Sequence, residues 1–309
     1  MKKTYRIFFA FIAILSFLFS SQAGLLAVQD TAEKIAGWKQ FNLSRFFSIY
    51  SMQFSEENQG WASGENGKLF SFNGSSWKET DIPTKEQIFS LAFTGKYRGF
   101  AVGSGGTILS CKNGTWTKHD LGVDWDIMDV FFLNELKGWA VGENSIILHY
   151  NNYEWREHAA PTIGYLTRVF FTSPENGWAV GNNGLIFHCD GNKWSEAASP
   201  TKENLYGVCF PSDEQGWAVG AFGTILHFRG GRWQSFSSPV ENHLLDIHFD
   251  LYGRGWIVGA SGVVLSYQKG QWREIPSPAR KSLYTVTTDK AGNLWVSGKG
   301  GKIFRKKLN

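Results

Sequence analysis

The feature that most constrains this chain is a repeat of 39 residues marked by tryptophan. One tryptophan series keeps this interval without a substitution, and a second series keeps it with Phe100 in one place. The two series are Trp38, Trp77, Trp116, Trp155, Trp194, Trp233 and Trp272, and Trp61, Trp139, Trp178, Trp217, Trp256 and Trp295. A fixed period of this length is typical of an array of similar units.

Each unit contains four short runs of β-branched and aromatic residues, separated by Gly, Asn, Ser and Pro. In one unit these runs are 205–210, 216–220, 223–228 and the residues around Trp233. No stretch keeps a helical period over about ten residues, so each unit is predicted to be a four-stranded blade. Residues 37–309 hold seven periods. We therefore expect an all-β fold, a seven-bladed β-propeller in a single domain.

The phase of the repeat predicts how the ring closes. Trp38 precedes the first complete unit, and the outer-strand tryptophan of the last unit would fall beyond residue 309. Trp38 is therefore predicted to supply the outer strand of the last blade. This closure by the N-terminal strand removes the sheet edges that an open array would expose.

Glycine marks the turn between the second and third strands of every unit. The turn opens with Gly in all seven units and closes with Gly in all but one. Both positions are expected to need a positive φ, which Gly adopts at little cost. Ser145 occupies the closing position of the third unit, which predicts a looser or differently shaped turn in that unit.

The first 23 residues are predicted to be a secretory signal peptide. They combine a basic start, an apolar run over residues 7–19 and small residues ending at Ala23. The run is shorter than the roughly 20 residues that span a bilayer, although residues 25–28 could extend it into an uncleaved anchor. Residues 24–36 are a short lead before the propeller. We expect an exported protein, periplasmic or extracellular.

Charge, cysteine and histidine usage exclude several functional classes. Without residues 1–23 the chain has 28 basic and 27 acidic residues, so its net charge alone gives no electrostatic footprint for nucleic acid or an anionic membrane. Three cysteines on strands are expected to be small core residues without disulfides. His149, His188 and His227 share one phase and should repeat around the ring instead of converging on a metal. No metal, no cofactor and a monomer are expected.

Residues that break the repeat are the candidates for a binding site. The loops into the first strand and the turns between the second and third strands should share one face, here called the upper face. Trp125, outside both series, lies there between two aspartates, and unlike aromatic, acidic and amide residues follow in the next blades. Such a grouping is typical of a protein-binding hot spot. The candidate partner-binding residues are Asp124, Trp125, Asp126, Glu143, Tyr165, Arg168, Asn182 and Phe222.

Two of these candidates have a structural alternative. Trp125 could fill a gap beside the channel, where Ser145 reshapes the neighbouring turn. Arg168 stands at the channel on the blade next to Asp129, where a buried ion pair is the simpler interpretation and a ligand contact the other.

The repeated pattern G-W-A-V-G-x-x-G-x-I-L, at 138–148, 177–187, 216–226 and 255–265, resembles that of the photosystem II stability and assembly factor family. The likeness covers residues 37–309, although the turns before the outer-strand tryptophan differ from the family's Asp-box, and only Asp190 retains an acid. The resemblance implies a non-enzymatic seven-bladed propeller with BNR-like repeats. It would bind unassembled membrane-protein subunits on the periplasmic side, or in the thylakoid lumen of a photosynthetic host.

Two alternatives come from other propellers. A glycan-binding, lectin-like propeller would repeat its ligand set in several blades. A sialidase-like glycosidase would need an arginine cluster, for which Arg45, Arg168 and Arg280 are the candidates. The chain contains no G-x-S-x-G, phosphate-loop, H-E-x-x-H or dinucleotide motif, so we expect no enzyme.

Overall fold

The computed structural model describes residues 37–43, 47–55, 59–95 and 98–308. These residues form seven four-stranded antiparallel sheets, and the innermost strand of each sheet contacts that of the next all the way round. The chain is a seven-bladed β-propeller, as the repeat predicts. Among these residues, no helix has the length and apolar character to cross a membrane. The predicted signal peptide (1–23), the lead (24–36) and Arg45 lie outside the described residues.

The strands of each blade follow one another from the channel to the rim. Blade 1 contains β2 (Ile49–Phe54), β3 (Gly60–Gly64), β4 (Leu69–Phe72) and β5 (Trp77–Thr80). Blade 2 contains β6 (Ile88–Phe93), β7 (Arg98–Gly103), β8 (Ile108–Lys112) and β9 (Thr115–His119). Blade 3 contains β10 (Ile127–Asn134), β11 (Lys137–Gly142), β12 (Ile147–Asn151) and β13 (Glu154–His158). Blade 4 contains β14 (Leu166–Ser173), β15 (Asn176–Gly181), β16 (Ile186–Cys189) and β17 (Trp194–Glu196).

The remaining three blades repeat this order. Blade 5 contains β18 (Leu205–Ser212), β19 (Gln215–Gly220), β20 (Ile225–Arg229) and β21 (Arg232–Phe236). Blade 6 contains β22 (Leu244–Phe249), β23 (Gly255–Gly259), β24 (Val264–Gln268) and β25 (Gln271–Glu274). Blade 7 contains β26 (Leu283–Thr288), β27 (Asn293–Gly298), β28 (Lys302–Lys307) and β1 (Trp38–Asn42).

The first strand closes the ring. β1 pairs antiparallel with β28, with Trp38 opposite Lys306 and Asn42 opposite Lys302. Trp38 is fully buried, in a cluster with Trp256 of blade 6, and its indole N–H donates to the carbonyl of Pro276 at 3.2 Å. The predicted closure by the N-terminal strand is confirmed.

Aromatic side chains interlock neighbouring blades. Trp139 of blade 3 stacks on Phe171 of blade 4 with ring centroids 3.6 Å apart, and Trp194 meets the same phenylalanine edge-on at 5.6 Å. Opposite Phe171 lies Gly177, where a Cβ would come within 2.1 Å of the ring. The glycine therefore makes room for the phenylalanine, and the repeated tryptophans are core residues.

The last blade lacks this phenylalanine–glycine pair. Blades 1 to 6 place Phe54, Phe93, Phe132, Phe171, Phe210 and Phe249 against Gly60, Gly99, Gly138, Gly177, Gly216 and Gly255. In blade 7, Thr288 lies opposite Leu294. The fully buried Trp38 packs at this junction with Leu294.

The opening glycine of each upper-face turn is extended, contrary to the expected positive φ. Gly142 has a φ of −173°, and a Cβ there would lie 2.0 Å from the carbonyl oxygen of Asp126. The closing glycines do have a positive φ, as at Gly184 with +72°. The first glycine is thus required by close backbone approach and the second by backbone conformation.

The prediction of a looser third turn was wrong. Ser145 adopts a φ of +53°, and residues Glu143–Ser145 form the same 3-10 turn as the equivalent residues of blades 1, 4, 5 and 6. The Ser145 hydroxyl accepts the N–H of Gly164, and its own N–H donates to the Gly164 carbonyl, both at 2.8 Å. These two bonds hold serine in a backbone region that favours glycine.

The cysteines and histidines occupy the predicted places. All three cysteines are buried and free. The rings of His149, His188 and His227 lie 4.8, 4.4 and 4.0 Å from the second-strand tryptophan of their own blades. The histidines therefore repeat around the ring as packing residues.

Candidate functional site

The upper face is a platform held together by backbone hydrogen bonds. Within a blade, the turn bonds to the loop that leads into the same blade, as where Glu143 N–H donates to the carbonyl of Asp126 at 2.9 Å. Turns also bond to the loop of the next blade, as where Gly106 N–H donates to the carbonyl of Trp125 at 3.0 Å. Because such a loop is held from two sides, its side chains project from a fixed backbone.

The loop into blade 3 contains two kinds of residue, those that brace the backbone and those that are exposed to solvent. The Asp126 carboxylate accepts the N–H of Gly105 at 2.9 Å, and its own N–H donates to the Glu143 carboxylate at 3.1 Å. Asp124 is exposed, and 49% of Trp125 is accessible to solvent. Asp126 and Glu143 thus support the loop, whereas Trp125 and Asp124 are available to a partner. Gap filling does not explain an indole that is half exposed.

Tyr165 and Asn182 are turned into the platform. The Tyr165 hydroxyl donates to the sulfur of Met128 at 2.8 Å, and its backbone N–H donates to the Asn182 side-chain oxygen at 2.9 Å. Burial raises the pKa of Tyr165, and the carboxylates of Glu143 and Asp126 raise it further. Tyr165 therefore stays neutral and joins blade 4 to blade 3.

Phe222 projects from the upper-face turn of blade 5. It is 67% exposed although its φ is +50°, a region that bulky side chains occupy at a cost. Its N–H donates to Nδ1 of His243 at 3.1 Å, and the two rings meet edge-on with centroids 4.9 Å apart. The turn thus holds an aromatic ring in solvent on a strained backbone.

Arg168 lies in the channel within a buried ion triad. Its guanidinium nitrogens are 3.4 Å from a carboxylate oxygen of Asp129 and 3.4 Å from one of Asp246, and 19% of its side chain is exposed. Burial opposes its charge, yet the two carboxylates raise the pKa of Arg168. Gly207 of blade 5, between blades 4 and 6, presents no side chain at this level. The predicted pair with Asp129 is confirmed, and Asp246 joins it across blade 5.

The structure adds residues that the sequence analysis did not select. Ile163, in the loop into blade 4, is 83% exposed. Three aromatic residues meet on the innermost strands of blades 7, 1 and 2, where the ring of Tyr50 lies 5.8 Å from those of Phe89 and Tyr284. The Tyr50 hydroxyl donates to the Glu65 carboxylate of an upper-face turn at 3.2 Å. These three aromatics occupy the same position in their units. Because residues of other types occupy that position in most of the other units, the sequence pattern does not reveal the cluster.

The described residues contain no group of three His, Cys, Asp or Glu side chains arranged to hold a metal ion. Two of the candidate arginines have different surroundings. Arg168 is paired with two aspartates, whereas Arg280 is exposed in the loop before β26. Arg45 lies outside the described residues.

Known proteins share both the repeat and the ring. Residues 71–155 match the family described as photosynthesis system II assembly factor YCF48. No curated protein matches the chain significantly in sequence. YCF48 bound to a D1 peptide is 18% identical, with a TM-score of 0.75 over 90% of this chain and 99% of that one.

Two further solved structures have the same architecture. YCF48 from Cyanidioschyzon merolae is 17% identical, with a TM-score of 0.74 over 88% of this chain and 99% of that one. A catalytically inactive variant of virginiamycin B lyase from Staphylococcus aureus, solved with quinupristin, is 16% identical, with a TM-score of 0.75 over 88% and 99% of the two chains. At these identities the likeness establishes the fold. The chain is therefore a seven-bladed propeller, and its residues 71–155 resemble the YCF48 family.

Proposed function

We propose that the chain is a non-enzymatic assembly or stability factor whose upper face binds a segment of a protein partner. The observation that carries this proposal is Phe222. Asn, Ser or Gly occupies the equivalent turn position in the other six blades, and these residues adopt a positive φ more readily. A phenylalanine there costs about 1 kcal/mol in backbone strain while two thirds of it is exposed. Strain without compensating core packing indicates a role at the surface.

Trp125 and Ile163 extend the same surface. Ile163 lies on the loop into blade 4, next to the blade of Phe222, and Trp125 lies on the loop into blade 3; their exposed fractions are 83% and 49%. Because the loops are fixed by hydrogen bonds, a partner would bind these apolar side chains without first ordering them. Large apolar anchors on a rigid backbone are typical of binding hot spots.

The charge of the upper face changes around the ring. Asp124 is exposed beside Trp125, and the exposed Glu86 in the loop into blade 2 is offset by the exposed Lys85, whereas Arg280, Lys281 and Lys299 are exposed beside blade 7. A segment with a basic end over blade 3 and an acidic end over blade 7 would complement this distribution. The similarity to a YCF48 solved with a D1 peptide supports a protein partner.

The proposal places the protein and its partner on the far side of a membrane from the cytoplasm. The basic start, the apolar run over residues 7–19 and the small residues before Gly24 support export. The partner is then an unassembled subunit of an envelope or membrane complex, with a segment exposed in the periplasm or, in a photosynthetic host, in the thylakoid lumen.

Site-specific photo-crosslinking in cells tests this function. A photoreactive amino acid replaces Ile163 on the upper face or, as a matched control, Tyr153, which is 65% exposed in the turn between β12 and β13. We expect a protein adduct at position 163 and none of the same mass at 153. The double variant Trp125→Ala, Phe222→Asn should reduce that adduct at least about tenfold, since each hot-spot truncation costs more than about 1.4 kcal/mol.

Two results would contradict the proposal. One is the absence of a protein adduct at position 163, and the other is an adduct that the double variant leaves unchanged. Reproducible binding of the protein to a glycan array, lost in the same double variant, would favour the lectin-like alternative.

A further inference from the structure

The face opposite the upper face, here called the lower face, carries the turns between the first and second and between the third and fourth strands. Its most exposed apolar residues are Leu251 and Tyr252, which are 97% and 82% accessible to solvent. They are adjacent in the turn between β22 and β23 of blade 6. Two neighbouring apolar side chains that protrude this far form a convex tip.

The turn that carries this tip is braced. One Asp250 carboxylate oxygen accepts the backbone N–H groups of Tyr252 and Arg254 at 3.0 and 2.9 Å. The other oxygen accepts Nε of Arg254 at 2.7 Å, and Gly253, with a φ of +74°, donates its N–H to the Asp250 carbonyl at 3.0 Å. The tip is therefore presented by a fixed turn.

Cations lie on the same sector of the lower face as the tip, on blades 5 to 7. Exposed basic side chains at the strand ends and turns of this sector are Arg229, Arg232, Lys269 and Lys307. Exposed acids in the same sector are Asp213 and Glu214, whereas Asp250 is paired with Arg254. On blades 3 and 4 the lower face exposes Glu135, Glu175 and Asp190 beside Lys193, and Glu154 is paired with Arg156. The lower face therefore has a basic sector that coincides with its apolar tip.

The described chain also begins on this face. Trp38 pairs with Lys306, near the lower end of β28, so Gly37 lies at the lower rim of blade 7, next to blade 6. Residues 1–36, which contain the apolar run over 7–19, join the propeller at this point.

We propose that the lower face of blades 5 to 7 docks on an anionic membrane surface, with Leu251 and Tyr252 entering the headgroup region. A bilayer accepts a convex apolar tip without a matching pocket, whereas a protein partner would need one. Tyrosine suits the interface because its ring is apolar and its hydroxyl is polar. The surrounding Lys and Arg side chains are attracted to anionic headgroups. This docking is independent of the partner-binding surface and leaves the upper face directed away from the bilayer.

Vesicle flotation tests the docking with the chain from Gly24 onward, which contains every described residue. The probes are vesicles of phosphatidylcholine with about one third phosphatidylglycerol, and vesicles of phosphatidylcholine alone. We expect binding to the anionic vesicles that weakens as salt is raised, because salt screens the headgroup charge. Leu251→Ser with Tyr252→Ser should lower the partition coefficient about tenfold or more. Arg229→Gln with Arg232→Gln should lower it on anionic vesicles only.

A matched control removes the same number of exposed apolar side chains from the other face. Ile163→Ser with Phe222→Ser should leave vesicle binding within twofold of the parent. Docking is overturned if the parent does not bind anionic vesicles, if the Leu251 and Tyr252 variant binds like the parent, or if the control loses binding equally. Photo-crosslinking at position 163 is read separately, so either proposal can fail alone.

Discussion

The upper and lower faces are built from opposite ends of the same strands, yet they present different chemistry to solvent. On the upper face the turns share one backbone path, and their opening glycines lie where a Cβ would meet a carbonyl oxygen at about 2 Å, as at Gly142. On the lower face the turns vary, and several are capped by an Asp or Asn side chain, as at Asp250.

This difference shows where each face can vary. An upper-face turn keeps its path because backbones touch, so variation is concentrated at its tip, where Phe222 replaces Asn or Gly. A lower-face turn is closed by a side chain, so its length and tip residues can both change, as with Leu251 and Tyr252. Two surfaces of different character therefore arise from one repeat.

The largest loss of stability is expected at Trp38, because both faces depend on the closure of the ring. Trp38→Ala removes a fully buried indole from the junction of blades 6 and 7, and we expect a loss of about 3 to 5 kcal/mol. Trp125→Ala, which truncates a half-exposed indole, should cost less than about 1 kcal/mol. Urea unfolding of both variants measures the contrast. Equal losses would show that Trp38 does not close the ring.

The glycines of the two faces should respond differently to one added methyl group. Gly142→Ala places a Cβ 2.0 Å from a backbone oxygen, and we expect it to cost about 2 to 3 kcal/mol. Gly253→Ala finds nothing within 4 Å but must keep a φ of +74°, which should cost about 1 kcal/mol. Thermal melts of the two variants test this difference. A larger loss of stability in Gly253→Ala than in Gly142→Ala would contradict the reasons given for glycine at the two positions.

The strand below the lower-face tip predicts a pH dependence. Burial lowers the pKa of His248 to about 4, and its Nε2 lies 2.9 Å from the Thr288 hydroxyl. Because the pKa of His248 in the folded protein lies below the ordinary 6.5, the neutral His248 contributes fully to the free energy of unfolding above pH 6.5. This contribution is lost as the pH falls toward 4. We expect the free energy of unfolding to fall by about 2 to 3 kcal/mol over that range.

Urea midpoints measured against pH test this dependence. His248→Gln cannot titrate and should flatten the slope between pH 6.5 and 4, although other half-buried histidines contribute in the same direction. An unchanged slope in the His248 variant would contradict the prediction.

The smallest effect is a gain in stability on the upper face. Phe222→Asn places at this turn the residue found in blades 1, 3 and 4, and relief of strain should stabilise the protein by about 0.5 to 1 kcal/mol. Asn183→Phe makes the reverse change in blade 4 and should destabilise it by a similar amount. Differential scanning calorimetry compares the pair. A destabilised Phe222→Asn variant would mean that Phe222 packs as a structural residue.

Much of the architecture was predictable because its main contacts recur in one unit after another. The stacking of Trp139 on Phe171 is repeated between Trp61 and Phe93, so blade number, closure by Trp38 and the packing of the tryptophans follow from a linear pattern. The Asp129–Arg168 pair was predictable for the same reason. At the candidate site, the exposure of Trp125 and Phe222 agreed with their irregular positions, whereas Tyr165 and Asn182 proved to be supports.

By itself, the sequence determined the repeat, the number of blades and the residues that interlock them, since these depend on periodic burial. Only the tertiary structure decided that Gly142 avoids a carbonyl oxygen, that Ser145 fits a glycine position and that Asp246 reaches Arg168. It also decided how charge is distributed, because a nearly neutral chain collects exposed basic side chains on blades 5 to 7 of the lower face. These properties depend on distances between residues remote in sequence, which no linear pattern contains.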